Sequence, residues 1–420
     1  MSFDKMKRLY MQGAIILLNT VVLLLLLDAV CYVTRSIRHR FGPGPGPVAA
    51  YGKARVLQGH PGQAEADVLA MLHETEEVGG RTEYEVLIEF KEAPFRGRYV
   101  NVDPAGFRAG KPQGPWPPDP ANFNIFVFGG STTFGYGVSD GETIPVAIQE
   151  LLSKTSTRPV FVYNFGCVLY FSTQELMLYY SLLMKGSVPR VAIFLDGLND
   201  FYFLTGELGG TAELKSLVQK YGWDDDKGNL RSFLVNTSLG RAARWLRKRA
   251  ERRRTEEPGP QADDEAALAR VRDRWLTNKN LIEELSALFH VRPLFVWQPV
   301  PTYRYDHARY HLLRDWGDKP LKSCAPSPSA YALVQRSRAA LEQGNNFLWL
   351  ADIQEERREN LYVDEVHYTA AFSKDIAAYI CAFLGEKGYL ADATEKGPSV
   401  SAIPTLGGPQ TPSPADSARR

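Results

Sequence analysis

The apolar positions of this chain fall into three regimes, each predicting a different kind of element. Over residues 13–33 nearly every position is apolar, with Ile15-Ile16-Leu17-Leu18 and the stretch 21–27 at the centre. A helix of about 20 such residues crosses the hydrocarbon core of a bilayer. The pattern therefore predicts a single N-terminal transmembrane anchor within residues 1–36. Asn19 interrupts the run, and Asp28 lies near enough to its distal end to reach the interface. No small-x-small cleavage site follows, which argues against a removed signal peptide. Leu27-Asp28-Ala29-Val30-Cys31 fails as a lipidation box, because Val30 stands where a small residue is needed.

In the second regime, short β-branched and aromatic runs alternate with helical spacing. Residues 124–128, 161–164, 191–195, 293–298 and 347–353 read as buried parallel strands. Residues 143–154, 172–185 and 369–384 space their apolar positions as amphipathic helices do. Strand, helix, strand, helix in that order implies right-handed crossovers and a parallel sheet. The expected fold is α/β: a doubly wound three-layer sandwich on about five strands, filling residues 121–390.

The third regime is polar or rich in breakers. Gly42-Pro43-Gly44-Pro45-Gly46-Pro47 predicts a non-helical linker that holds the globular part off the membrane. It opens a linker and accessory lead-in over 37–120, with strand-like pieces such as 84–90, then Tyr99-Val100-Asn101-Val102-Asp103 and Gly106-Phe107-Arg108, and a Pro-rich stretch at 112–120. Covering one edge of the sheet is its simplest role. Insertions are expected near 201–275 and 301–327. The first contains a basic helical piece, 232–254, with Arg247, Lys248, Arg249, Arg252, Arg253 and Arg254. Glu256, Glu257, Asp263, Asp264 and Glu265 nearly balance it, so a solvated helical excursion is expected rather than a contact to lipid phosphates. The tail, 391–420, is rich in Pro, Ser, Gly and Thr and reads as disordered.

Composition narrows the chemistry by exclusion. The chain has 420 residues and a formal net charge of +1, which fits one main domain with additions and gives no sign of a nucleic-acid partner. Cys31, Cys167, Cys324 and Cys381 lie far apart, and His307 and His311 lack the glutamate of a zinc-protease helix, so no metal is expected. Neither a Gly-x-Gly-x-x-Gly turn nor a Gly-Lys-Ser/Thr sequence is present, so no nucleotide and no other cofactor is expected.

What remains is a serine with a distant acid and base. The run 124–128 leads into Gly129-Gly130-Ser131, where two glycines let the backbone turn and expose Ser131 at the carboxyl edge of the sheet. A serine hydroxyl needs a general base, and that base needs a third group to orient it. Asp364 and His367 stand three apart, which puts them on one side of a turn or a first helical turn. Taken singly, Ser131 also reads as a turn or cap residue and Asn199-Asp200 as a helix N-cap.

Four blocks in order resemble the SGNH (GDSL-type) hydrolases. Gly129-Gly130-Ser131 is similar to the first block, with Gly130 where Gly-Asp-Ser is common, and Asn164-Phe165-Gly166 is similar to the second. Gly197-Leu198-Asn199-Asp200 and Asp364-Glu365-Val366-His367 match the third and fourth in full. The resemblance implies Ser131 as nucleophile, His367 as base and Asp364 as orienting acid. It implies an oxyanion hole from the amides of Ser131 and Gly166 and the side chain of Asn199. The implied reaction is hydrolysis of an ester-bearing carbohydrate or lipid of a bacterial envelope, by a membrane-anchored and extracytoplasmic catalytic domain. Transfer of the acyl group to a polysaccharide hydroxyl, or a catalytically silent binding protein on the same fold, are the other readings. Lys5, Lys7 and Arg8 before the span tie with Arg35, Arg38 and Arg40 after it, so charge does not set sidedness. Tyr303, Tyr305, His307 and Tyr310 follow a strand end and are expected to form a substrate wall over the site. The sequence does not give the oligomeric state.

Overall fold

The structure, a computed structural model, describes residues 3–41, 46–202, 264–306 and 327–394. The basic piece at 232–254, most of the 301–327 insertion including His307 and Tyr310, and the tail beyond Thr394 lie outside the described residues.

Helix α1 (Phe3–Phe41) carries an apolar stretch, Phe3–Val33, containing an 18-residue window of mean hydropathy 2.6, none of that window buried against the rest of the chain. By length and composition it can cross a membrane. After it the linker expectation fails in part, because Gly46–Tyr51 is helical (α2). Pro47 sits in the first turn, where its missing N–H breaks no helical hydrogen bond, and the amide of Gly46 is bound by Glu76 Oε2 at 3.1 Å.

The lead-in is more ordered than its sequence suggests. It forms α3 (Lys53–Gln58) and α4 (Glu65–Gly79), and then a hairpin of β1 (Thr82–Glu85) and β2 (Glu89–Glu92). The piece at 84–90 is thus the hairpin tip, turned by Leu87 and Glu89 at φ 73° and 78°. A second pair, β3 (Phe95–Arg96) and β4 (Asn101–Val102), leads to Arg108, whose amide donates to Asn164 O at 2.9 Å. That bridge closes the edge of the main sheet.

The main sheet holds β5 (Phe123–Gly129), β6 (Val160–Gly166), β7 (Val191–Asp196), β8 (Arg292–Trp297) and β9 (Phe347–Trp349). All neighbours are parallel, in the order β6-β5-β7-β8-β9. β9 is shorter than its apolar run because Leu350 onward turns away. Alternation sorts the side chains. Phe126, Phe128 and Phe194 face α7 (Ser172–Met184) and the long helix Glu265–Leu288, whereas Ile125, Val127 and Ile193 face α6 (Ile144–Leu152) and the helix Ala370–Glu386. Both faces are covered, which is why β5 and β7 are buried at every position. The order reverses between β5 and β7, and open α/β sheets bind ligands in the crevice at such a switch point.

Candidate active site

Ser131 enters this crevice at the end of β5 as the first residue of a one-turn helix, α5 (Ser131–Phe134). Its own amide is therefore among those the helix does not use. Three contacts fix the turn. Asn164 Nδ2 donates to Thr133 O and Phe134 O at 3.0 and 3.2 Å. Thr132 Oγ1 donates to Gln298 Oε1 at 2.7 Å, and the same oxygen accepts from Tyr368 Oη at 3.1 Å. Gln298 thereby ties the neighbour of Ser131 to the neighbour of His367.

The candidate acid and base, Asp364 and His367, come from the loop after β9. An antiparallel bridge between Tyr362 and Tyr368 closes it, and Val363 N donates to His367 O at 2.8 Å. Within the turn, Asp364 Oδ1 accepts from the amides of Val366 and His367, both at 2.9 Å. This is the local side-chain to backbone pattern that aspartate favours in turns. Its other oxygen, Oδ2, lies 2.6 Å from His367 Nδ1, and His367 Nε2 lies 2.8 Å from Ser131 Oγ. The side chains of His367 and Asp364 are only 14% and 18% exposed. Burial works to raise the Asp364 carboxyl, but the imidazole beside it and the two backbone donors outweigh burial and hold it below its ordinary value. It is a carboxylate at neutral pH, which fixes the proton of the imidazole on Nδ1 and leaves Nε2 to accept from the serine.

Asn199, in α8 (Leu198–Tyr202), reaches the same point from β7. One N–H of its side-chain amide donates to Tyr170 O at 2.7 Å, and a primary amide carries a second. A β-carbon on Gly130 would lie 2.2 Å from this nitrogen, so the departure from Gly-Asp-Ser at position 130 makes room for Asn199 beside Ser131.

Gly166 requires a correction. Its amide donates to Asn164 Oδ1 at 3.0 Å and is not free for an oxyanion. The glycine serves packing: a β-carbon there would come 2.3 Å from Phe134 N, so its absence lets β6 approach α5.

The expected substrate wall is corrected as well. Tyr303 is buried, donates to Gln335 Oε1 at 2.7 Å and packs on Tyr331 and Trp349; Tyr305 is buried, donates to Glu359 O at 2.9 Å and packs on Tyr362. Both are core residues.

Behind Asn199 lies a buried acid cluster. Asp200 accepts from Ser172 Oγ at 2.6 Å, and Asp196 accepts from Trp275 Nε1 at 2.8 Å. Burial first, and then mutual repulsion, pushes Glu175 and Asp196 above the usual carboxylate range, so this cluster holds its protons more tightly than free carboxyls do. It anchors the base of the third block.

Several site residues went unforeseen: Asn164 as a cap, Gln298 as a bridge, Tyr136 against the imidazole, and Arg108. Arg108 is fully buried and donates to Asp140, Phe134, Gly135 and Val138 around the loop that follows Ser131. The Gly106-Phe107-Arg108 sequence singled out the residue but not the partners.

No family model matches the chain, and no curated protein does. Among solved structures it is similar to a GDSL-like lipase from Bacteroides thetaiotaomicron, at 12% identity and TM-score 0.34, over 64% of this chain and 91% of that one. It is similar to a lipase/acylhydrolase from Enterococcus faecalis, at 13% identity and TM-score 0.33, over 63% and 95%. A carbohydrate acetylesterase family member from Sinorhizobium meliloti is similar at 13% identity and TM-score 0.32, over 63% and 98%.

Proposed function

We propose that the chain is a membrane-anchored serine esterase of the SGNH (GDSL-type) hydrolases, working through an acyl-serine intermediate. The observation that supports this is the continuous line Asp364 Oδ2, His367 Nδ1, His367 Nε2, Ser131 Oγ, joined at 2.6 and 2.8 Å between residues 236 positions apart. Such geometry suits a nucleophile, its base and an orienting acid. Ser131 Oγ attacks the ester carbonyl as His367 Nε2 takes its proton. The carboxylate of Asp364 stabilises the imidazolium, and the second N–H of Asn199 with the Ser131 amide faces the oxyanion. Collapse of the tetrahedral species expels the alcohol, which takes the proton from His367. Water then adds to the acyl-serine by the same route and releases the acid.

The apolar helix α1 supports a substrate held in the envelope: an acyl or acetyl ester of a carbohydrate or lipid, met by an extracytoplasmic domain. Water is the acceptor in this reading, because the catalytic set alone suffices for it. Two of the aromatic residues expected to hold a sugar, Tyr303 and Tyr305, are spent on the core. The test is turnover of a p-nitrophenyl acyl ester by the full chain in detergent micelles. Ser131→Ala and His367→Ala are each expected to lose about 10³-fold or more with unchanged thermal melting. Wild-type turnover by the Ser131 variant would reject the reading.

A further inference from the structure

We infer that Tyr136 is a positioning residue for the base: its ring backs the imidazole of His367, and helix α4 of the lead-in segment abuts the hydroxyl end of that ring. The inference rests on the reading of Ser131 and His367 as nucleophile and base. The two rings lie with centroids 5.4 Å apart and planes 24° from parallel. Asp364 and Ser131 hold the imidazole by its two nitrogens, and two such in-plane bonds leave the ring able to tilt about the line joining them. A flat neighbour on its face removes that freedom. It acts again during the reaction, because an aromatic face attracts the cation that His367 becomes on taking the serine proton.

Tyr136 offers a ring and not a proton. Its hydroxyl is buried and has no hydrogen-bond partner among the described residues. Burial first, then the nearby Glu92 and Cys167, pushes the phenol upward, so it stays neutral. What the hydroxyl meets is Gly79, at the end of α4. A β-carbon at Gly79 would stand 2.2 Å from the hydroxyl oxygen and 3.0 Å from the ring, so helix and ring touch only because that residue is glycine.

The backbone around Tyr136 is pinned as firmly. Gly135 and Gly137 flank it at φ 91° and 81°, conformations that favour glycine. A β-carbon at Gly137 would lie 2.5 Å from Val363 Cγ2, one residue before the catalytic acid. Arg108 binds the carbonyls of Phe134, Gly135 and Val138 at 3.0, 2.7 and 2.7 Å. The lead-in segment thus holds Tyr136 twice, through Gly79 at its hydroxyl end and through Arg108 around its loop.

The experiment measures kcat and KM on p-nitrophenyl acetate for the full chain in detergent micelles, together with the rate at which a fluorophosphonate labels Ser131. Tyr136→Leu is expected to lower kcat and the labelling rate about three- to thirtyfold, with KM within about twofold. Tyr136→Phe, which keeps the stacked ring, is expected to rescue both to within about twofold. Gly79→Ala lies in the lead-in, suits a helix end and keeps the tyrosine; it is expected to lower kcat in the same way by displacing the ring. Wild-type kcat in Tyr136→Leu, a Phe variant as poor as the Leu variant, or wild-type kcat in Gly79→Ala would each overturn the inference. Should Tyr136→Leu lose its cooperative melting, Gly79→Ala decides alone. His367→Ala run alongside separates the two failures: wild-type turnover there would remove the base assignment itself.

Discussion

Replacing Arg108 by methionine should destabilise the protein by about 3–5 kcal/mol, the range for removing one partner of a buried ion pair. The side chains of Arg108 and Asp140 are each 1% exposed, with Nε 2.9 Å from Oδ1. Without the guanidinium, Asp140 keeps the donors of Asn101, its amide at 3.1 Å and Nδ2 at 2.8 Å, but has no countercharge. Three carbonyls each lose a donor at the same time, but Phe134 O keeps Asn164 Nδ2 at 3.2 Å and Gly135 O keeps the Val138 amide at 3.3 Å, so Val138 O is the one that loses its side-chain donor outright. One orphaned carbonyl adds about 1–3 kcal/mol, but methionine fills most of the volume and the loop relaxes toward water, so the ion-pair range is the better guide. Removing the stranded charge should relieve part of the loss, and Arg108→Met with Asp140→Asn is expected to be more stable than Arg108→Met alone. The assay is urea unfolding of the full chain in detergent micelles, comparing midpoints at constant slope. A single variant within about 1 kcal/mol of wild type, or a double variant less stable than the single, would refute the clamp.

Asn199→Ala should lower turnover about 10²- to 10³-fold while nucleophile and base remain, as expected for one lost oxyanion donor; an unchanged rate in the same ester assay would leave Asn199 a structural residue. Gly166→Ala should lower turnover about 10²-fold and depress thermal melting, because the new methyl group meets the backbone of the nucleophile helix; normal activity and melting would contradict that packing. Burial pushes Glu92 up to about 7 from an ordinary 4.5. The folded state therefore holds this proton more tightly than the unfolded chain, and stability falls as pH rises from about 4.5 to about 7, by on the order of 3 kcal/mol. Glu92→Gln, which resembles the protonated form, should melt higher than wild type at pH about 8 and close to it at pH about 5; equal gaps at both pH values would sink the assignment.

The central sheet was legible because its strands are buried on both faces and so appear as unbroken apolar runs. The meeting of Ser131, Asp364 and His367 was legible as an expectation because Ser131 follows a strand end and the blocks around them occur in order; Asp364 and His367 lie well past β9, where no strand pattern marks them. Gly166 was misread for a local reason: the side chain of Asn164, two residues earlier, captures its amide, and no spacing rule shows that. Tyr303 and Tyr305 were misread because aromatic content near a site does not distinguish a wall from a core. Helix α4 carried a usable signal in Val68, Met71, Leu72, Thr75 and Val78, whose spacing is helical and whose side chains are buried. Tyr136 and Gln298 carried none, since their partners are distant in sequence and meet them only once the sheet has formed.

The most direct test of the account is to trap the covalent intermediate. The full chain in micelles is treated with a fluorophosphonate, digested, and the modified residue mapped by mass spectrometry, with His367→Ala and Asn199→Ala treated in parallel. One stoichiometric adduct on Ser131 is expected in the wild type, with slow labelling of the same residue in Asn199→Ala and essentially none in His367→Ala. An adduct on any other residue, or labelling of Ser131 at the wild-type rate without His367, would contradict it.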